Sequence, residues 1–315
     1  MLVSVLLLIF GFVILIKGAD FFVDGASGIA TNLKISKMLI GLTIVSFGTS
    51  APEFAVSIKS LLVGSGDIVL GNVIGSNILN ILLIIGCSAV VHSLVVKNNT
   101  VKKELPIVML ITVLFAVLLS DSLFDNVKNS FTRSDGIVLI LFFAVFLYYL
   151  IKMARNKTET NEEENNISIK KSILLSIIGL LGIVFGSNFV VDNACTIARI
   201  LGISERMISL TIIALGTSLP ELVTSVTATA KGEYDIAIGN VVGSNIFNIG
   251  IVIGIPVAIL GGINVIAFSY IDLLVMVASA FILFIFSFND YKISRREGIM
   301  FLILFIVYYG YVIIV

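Results

Sequence analysis

The feature that most constrains this chain is its series of long apolar runs separated by short polar breaks. A helix needs about 20 mostly apolar residues to cross a bilayer, and backbone groups inside lipid must be satisfied within the segment. Because 58% of the 315 residues are hydrophobic and 13% are charged, the excess apolar surface must face lipid. The pattern predicts an all-α polytopic membrane protein with ten transmembrane helices. They lie at roughly 2–31, 36–63, 67–93, 104–121, 134–153, 171–201, 204–231, 235–262, 265–287 and 293–314.

Several other classes of protein are disfavoured. The net charge is zero, and no basic patch suggests a nucleic-acid partner. No His/Asp/Ser triad, HExxH or GxSxG pattern indicates an enzyme, and no cofactor is expected. Cys87 and Cys195 lie in apolar runs, where inert thiols are a simpler expectation than a disulfide. The first run lacks a basic n-region and a small-residue cleavage site, so we interpret it as the first span.

The second half of the chain repeats the first. A constant shift of 168 residues aligns the halves without a gap, and 17 of the 35 positions in 46–80 are identical to their counterparts in 214–248. Shared hydrophobicity alone does not produce such identity. Between the halves, the segment from Arg155 to Lys171 is rich in Asn, Thr and Glu, which is typical of a flexible surface loop. The predicted organisation is a first half at 1–154, a cytoplasmic loop at 155–170 and a second half at 171–315.

An odd number of helices in each half makes the second half enter the membrane from the opposite side. Two inverted five-helix repeats are typical of secondary transporters, whose sites lie near the midplane between the repeats. Basic residues divide unevenly between the two sides, and the richer side is expected to be cytoplasmic. That side carries Lys34, Lys37, Lys97, Lys102, Lys103, the loop from Lys152 to Lys171, Lys231, Lys292, Arg295 and Arg296. The other carries Lys59, Lys128, Arg133, Arg199 and Arg206. Both termini are therefore predicted to be extracellular, in a multi-pass protein of the cell membrane.

Each half carries a polar block in its second helix, Gly-Thr-Ser-Ala-Pro-Glu at 48–53 and Gly-Thr-Ser-Leu-Pro-Glu at 216–221. A proline inside a helix removes one backbone hydrogen bond and clashes with the carbonyl four residues earlier. Pro52 and Pro220 are thus predicted to free the carbonyls of Gly48 and Gly216. Irregular backbone at membrane depth must face protein or a wet cavity. Such carbonyls and carboxylates suit calcium, which takes about six to eight oxygen ligands.

Glu53 and Glu221 are the acids deep in these two helices. A charge at the bilayer midplane costs at least about 2.5 kcal/mol, so acids there usually have a function. The alternative is a protonated glutamate that is hydrogen-bonded for packing, but recurrence at matched positions beside a broken helix disfavours it. Thr49 and Ser50 precede Glu53 by four and three positions, which predicts that the hydroxyls and the carboxylate share one helix face.

The third helix of each half carries a second block, with asparagine and serine stepping by four residues. The stripes are Asn72, Ser76 and Asn80, and Asn240, Ser244 and Asn248. Their oxygens are candidate cation ligands, while hydrogen bonding between helices without ion contact is the alternative. The glycine pairs at 71 and 75 and at 239 and 243 are expected to let helices approach closely. Asp24 and Asp192, near helix ends, are expected to form caps or interhelical bonds, and His92 is expected to be an interfacial residue.

The paired GTSxPE and GNVxGSNxxN blocks resemble the two alpha-repeats of the cation/calcium antiporter superfamily, nearest its prokaryotic sodium/calcium exchanger branch. The resemblance covers essentially the whole chain. It implies a central cluster of four cation sites in which both glutamates bind calcium and take part in sodium binding. The further oxygens it implies come from Thr49, Ser50, Ser76, Asn80, Thr217, Ser218, Ser244 and Asn248, and from the carbonyls of Ser46 and Ala214.

The expected function is exchange of sodium for calcium across the cell membrane by alternating access, with helices 1 and 6 sliding past the core. A calcium/proton antiporter on the same fold is the nearest alternative, and a cation channel or an intramembrane enzyme is a weaker one. Several relatives have aspartate at the position of Asn248, whereas this chain has asparagine in both halves. Because a possible carboxylate is missing, a potassium-dependent mode is not expected. The partners are calcium, sodium and the lipid bilayer. The sequence leaves the oligomeric state open, with a monomer as the simplest expectation.

Overall fold

A computed structural model describes residues 1–124, 129–155, 167–203, 212, 214–264 and 269–314, and these are nearly all helical. The helices are α1 Leu2–Leu33, α2 Lys37–Thr49, α3 Ala51–Leu62, α4 Gly66–Val91, α5 Leu105–Leu118, α6 Asp121–Phe124, α7 Arg133–Arg155, α8 Ile169–Ile200, α9 Ala214–Thr217, α10 Leu219–Ala230, α11 Tyr234–Leu260, α12 Tyr270–Asp290 and α13 Arg295–Ile314. Wide π-helical turns occur inside α2 (Gly41–Val45), α4 (Asn80–Ile85) and α11 (Asn248–Ile253), and before α5 (Thr100–Glu104).

Within the described ranges, seven helices are long and apolar enough to cross a membrane: α1, α4, α7, α8, α11, α12 and α13. The pair α2 and α3, bent by 45° at its break, passes the same test as an eighth span. The predicted polytopic helical membrane protein is confirmed at this level. The helix predicted at 104–121 corresponds to α5, which has 14 residues and follows a π-helical turn. Most of 204–213 and all of 265–268, which belong to two further predicted spans, lie outside the described residues.

The two longest helices, α1 and α8, pack against each other in antiparallel directions along much of their length. Glycines remove the side chains that would separate them. A Cβ added at Gly25 would lie 2.5 Å from the backbone nitrogen of Ser176, and one at Gly179 would lie 2.4 Å from that of Phe22. Small residues permit this backbone approach between membrane helices. The two helices therefore form one closely packed unit, which we call the α1–α8 pair.

The interior of the protein is formed by α4 and α11, whose most apolar windows are each 72% buried, against 11–33% for the other single spans. Glycines bring α11 close to α2, since a Cβ at Gly239 would lie 2.9 Å from the carbonyl of Met38. A Cβ at Gly243 would lie 2.8 Å from the Cβ of Ser46. The predicted close packing is thus confirmed on α11. For Gly71 and Gly75 it stays a prediction, because the repeat-matched partners at 206–214 lie mostly outside the described residues.

Two short antiparallel ribbons join connections from opposite halves. Strand β1 (Leu94–Val95) pairs with β4 (Lys292–Ile293), and β2 (Ser130–Phe131) pairs with β3 (Ile263–Asn264). The halves are thus tied together at their connections as well as in the interior.

Peripheral polar residues also join the helices. Asp24 of α1 forms an ion pair with Lys231 at 2.7 Å, as expected for an interhelical bond. His92, at the end of α4, lies 2.8 Å from the hydroxyl of Tyr234 and is exposed. Cys87 and Cys195 are free thiols.

Candidate functional site

The site is built around two matched breaks in the helices. The backbone leaves helical geometry at Ser50 (φ −84°, ψ 6°) and at Ser218 (φ −90°, ψ 4°). Pro52 and Pro220 occupy the second positions of the helices that follow, where a missing N–H costs nothing because the first turn has no acceptor for it. The predicted break is confirmed in both halves. The Gly216 carbonyl accepts a hydrogen bond from the hydroxyl of Ser187 on α8, 3.2 Å away.

The two glutamates lie in the first turns of α3 and α10, and each is 1% exposed. A hydroxyl from the opposite half contacts each of them. Ser50 Oγ donates to Glu221 Oε1 at 2.8 Å, and Ser218 Oγ donates to Glu53 Oε1 at 3.4 Å. The sequence predicts that Thr49 and Ser50 share one helix face with Glu53, but the Ser50 hydroxyl bonds to the glutamate of the other half. The break at Ser50 is the reason, because residues on either side of it no longer follow one helical periodicity.

The remaining hydroxyls continue this exchange between the halves. Ser50 Oγ also lies 3.0 Å from Ser244 Oγ on α11. Thr49 Oγ1 donates to Asn240 Oδ1 of the other half at 3.0 Å. The two carboxylates themselves interact electrostatically. The GTSxPE blocks of the two halves therefore form one cluster rather than two separate sites.

Several oxygens in this region are buried without any hydrogen-bond partner among the described residues. They are Glu53 Oε2, Glu221 Oε2, Asn77 Oδ1, Asn80 Oδ1 and Asn248 Oδ1. A buried polar atom left unpaired costs about 1–3 kcal/mol, and more when it is charged. Carboxylate and amide oxygens are ligands that hard cations such as calcium prefer. The donor set fits a desolvated alkali or alkaline-earth cation.

The predicted amides on α4 and α11 lie where π-helical turns begin. Asn80 and Asn248 are each 1% exposed and are the first residues of the turns Asn80–Ile85 and Asn248–Ile253. Asn80 Nδ2 donates across the halves to Asn245 Oδ1 at 2.9 Å. A π-helical turn widens the helix locally and is frequent at functional sites.

The other predicted ligands lie on the same helices. Ser76 and Ser244 are buried on α4 and α11. The Ser46 carbonyl accepts from the Ser50 backbone N–H at 3.0 Å and lies 3.4 Å from the Thr49 hydroxyl. Ala214 is the first residue of α9.

Four further buried residues near these groups were not predicted as site residues from the sequence: Asn77, Asn245, Ser57 and Ser225. Each is identical to its counterpart in the other half, and that identity was the available signal. Among the described residues, no group of three or more His, Cys, Asp or Glu side chains is placed to hold a metal ion. The site instead combines two carboxylates with neutral oxygens.

The fold and the site together define a polytopic helical membrane protein with an oxygen-rich cluster in its interior. Comparison with known proteins agrees. The family model described as "Sodium/calcium exchanger protein" matches residues 3–152 and 171–314, so the chain belongs to the sodium/calcium exchanger family.

Individual relatives cover nearly the full chain. The sodium/calcium exchanger MaX1 of Methanosarcina acetivorans is 34% identical, over 97% of each chain. The inner membrane protein YrbG of Escherichia coli K12 is 38% identical, over 85% of this chain and 84% of its own. A solved structure of the sodium-calcium exchanger NCX_Mj, soaked with sodium and no calcium, superimposes with a TM-score of 0.85 at 34% identity, over 97% of each chain.

Proposed function

We propose that this protein is a secondary antiporter that exchanges sodium for calcium by alternating access. The observation that carries the proposal is the pair of buried carboxylates, Glu53 and Glu221, each with one oxygen that lacks a hydrogen-bond partner in the described structure. Relatives named sodium/calcium exchangers support the choice of ions.

The proposed ligands follow from this cluster. Glu53 and Glu221 supply the charge for calcium and take part in sodium binding. Neutral oxygens come from Thr49, Ser50, Ser76, Asn80, Thr217, Ser218, Ser244 and Asn248, with the carbonyls of Ser46 and Ala214 as sodium ligands. The hydroxyls that bridge the halves and the unpaired amide oxygens support this assignment.

Competition between the two ions follows from the charge of the site. Two ionised carboxylates are balanced by one calcium ion. Sodium ions occupying the same cluster also neutralise them, so either ion displaces the other. Because a bare pair of buried carboxylates is costly, a site without cations resists occlusion. This coupling favours antiport over leakage of one ion.

The proposed architecture is two inverted five-helix halves, at 1–154 and 171–315, with a cytoplasmic loop at 155–170 and both termini outside the cell membrane. Matched contacts support it. Asn72 bonds to the Glu53 carbonyl and to Ser57, and the repeat-matched contacts recur on α11. Moreover, each β-ribbon joins one half to the other.

Single cysteines introduced at positions 163 and 315, in a background without Cys87 and Cys195, test this topology. An impermeant thiol reagent is expected to label position 315 from outside and position 163 only after permeabilisation. Labelling of both from the same side would rule out the five-plus-five inverted arrangement.

The α1–α8 pair is the proposed moving element. It packs through backbone-to-backbone contacts and so can shift as a unit against the interior helices. Such a shift exposes the site first to one side and then to the other.

Uptake of calcium-45 into proteoliposomes tests the function. Sodium-loaded vesicles diluted into sodium-free medium are expected to accumulate calcium, and vesicles with equal sodium on both sides are not. A pH gradient imposed at equal sodium tests the proton-coupled alternative. Uptake driven by that gradient and indifferent to sodium would contradict the proposal.

A further inference from the structure

Asn240 on α11 uses both ends of its amide in bonds to other parts of the site. It is fully buried, and its Nδ2 donates to the carbonyl of Glu221 at 3.4 Å and to Ser225 Oγ at 2.9 Å. Its Oδ1 accepts from the Thr49 hydroxyl at 3.0 Å. One side chain thus connects α11, the glutamate-bearing helix α10 and the broken helix α2.

Asn72 makes the matched contacts in the first half. Its Nδ2 lies 3.0 Å from the carbonyl of Glu53 and 3.0 Å from Ser57 Oγ. In both halves the amide donates to the main chain of the glutamate itself and to a serine one helical turn further along the same helix. The same relation among three residues in both halves identifies a built feature of the site.

These contacts separate Asn72 and Asn240 from the other asparagines of the two stripes. Asn80 Oδ1 and Asn248 Oδ1 are buried without a described partner, so they have lone pairs to offer a cation. The oxygen of Asn240 already accepts from Thr49. In each stripe, therefore, protein groups occupy the amide nitrogen of the first asparagine, whereas the amide oxygen of the last asparagine has no described partner.

We propose that Asn72 and Asn240 are positioning residues, which fix the main chain of Glu53 and Glu221 so that both carboxylates point into one cluster. This proposal rests on the proposed cation site. The reason is mechanical: each glutamate lies in the first turn after a helix break, where the first N–H groups have no acceptor within the helix and fewer helical hydrogen bonds hold the backbone. The amide supplies that missing constraint from the neighbouring helix.

Asn240 has a second effect through Thr49. A hydroxyl can ligate a cation only when its proton points elsewhere. Thr49 Oγ1 has protein acceptors at Asn240 Oδ1 (3.0 Å), at the Val45 carbonyl (3.1 Å) and at the Ser46 carbonyl (3.4 Å). Asn240 is the nearest, so it helps direct the proton away and leaves lone pairs for the ion.

Direct cation binding to detergent-purified protein tests this without requiring transport. Calcium and strontium are titrated into wild type, Asn72→Ala and Asn240→Ala by calorimetry, with thermal unfolding recorded on the same samples. Loss of outer residues that orient ligands typically lowers metal affinity 10- to 100-fold, so a calcium affinity about tenfold lower is expected. The ratio of the calcium affinity to the strontium affinity should also fall. A carboxylate that is held less firmly no longer favours the smaller ion.

Asn193→Ala is the matched control, since its amide donates to the Phe189 carbonyl of its own helix. It is expected to bind both ions as wild type does. The Asn72 and Asn240 variants could instead melt at a lower temperature and keep the wild-type ratio of calcium affinity to strontium affinity. That result would show a purely structural role and overturn the inference. Wild-type affinity for both ions in these variants would also overturn it. If wild type binds neither calcium nor strontium, the proposed function fails instead.

Discussion

Glu53→Gln separates the role of charge from the role of shape at the proposed site. Glu53 is 1% exposed, its Oε1 accepts from Ser218 at 3.4 Å, and its Oε2 has no described partner. Glutamine has the same length and still offers an oxygen to Ser218. The substitution therefore removes one negative charge and little else.

The expected effect on calcium binding is large. A unit charge interacts with a monovalent cation about 4 Å away by about 4 kcal/mol at an effective dielectric constant of 20, and with a divalent cation by about twice that. The amide dipole and the smaller desolvation cost of a neutral side chain offset part of this. A net loss of about 4 kcal/mol corresponds to a roughly thousandfold weaker affinity for calcium. Sodium, with half the charge, is expected to lose less.

The same change is expected to stabilise the cation-free protein. Two buried carboxylates repel each other, and an unpaired buried charge is costly. Replacing one of them by glutamine should raise the free energy of unfolding without cations by about 1–3 kcal/mol. The variant should thus melt higher than wild type in chelator and gain little when calcium is added.

Thermal unfolding in detergent, with chelator and then with calcium, measures both effects. Glu104→Gln is the matched control, because Glu104 is equally buried but bonds to Tyr149 rather than to this cluster. Calcium is expected to raise the melting temperature of this variant as much as it raises that of wild type. A Glu53→Gln protein that calcium stabilises as strongly as wild type would refute the reasoning.

Three further predictions follow from the same structure. With neutral amides at Asn80 and Asn248, calcium flux in proteoliposomes should not need potassium, and strong potassium dependence would contradict that assignment. With two carboxylates in the site, exchange of three sodium ions for one calcium ion moves one net charge, worth about 2.3 kcal/mol per 100 mV. A valinomycin-imposed potential should therefore change the rate of exchange, and no response would refute the charge count. Gly179→Val should sharply reduce folded protein in size-exclusion chromatography, because a Cβ there meets the Phe22 backbone at 2.4 Å. Gly310→Val, with no described atom within 4 Å, should not, and equal yields would contradict the packing of the α1–α8 pair.

Local chemistry and internal identity explain what could be predicted from the sequence. Apolar runs predict membrane helices because lipid offers no partner for the backbone. The breaks before Glu53 and Glu221 follow from the missing N–H of proline, which acts on its own turn of helix. Repetition of the same blocks also indicated that both glutamates belong to one function, although not how they are arranged.

The pairing within the site depends on the tertiary structure. Ser50 is three residues from Glu53 but donates to Glu221, because the bend redirects its helix towards the other half. The π-helical turns at Asn80 and Asn248 leave no mark in residue type, since an extra residue in a turn is stabilised by packing around it. Likewise, positions 240 and 248 are both asparagine and lie eight residues apart. Only the neighbouring helices decide that one amide is occupied by Thr49, Ser225 and the Glu221 carbonyl while the other stays open.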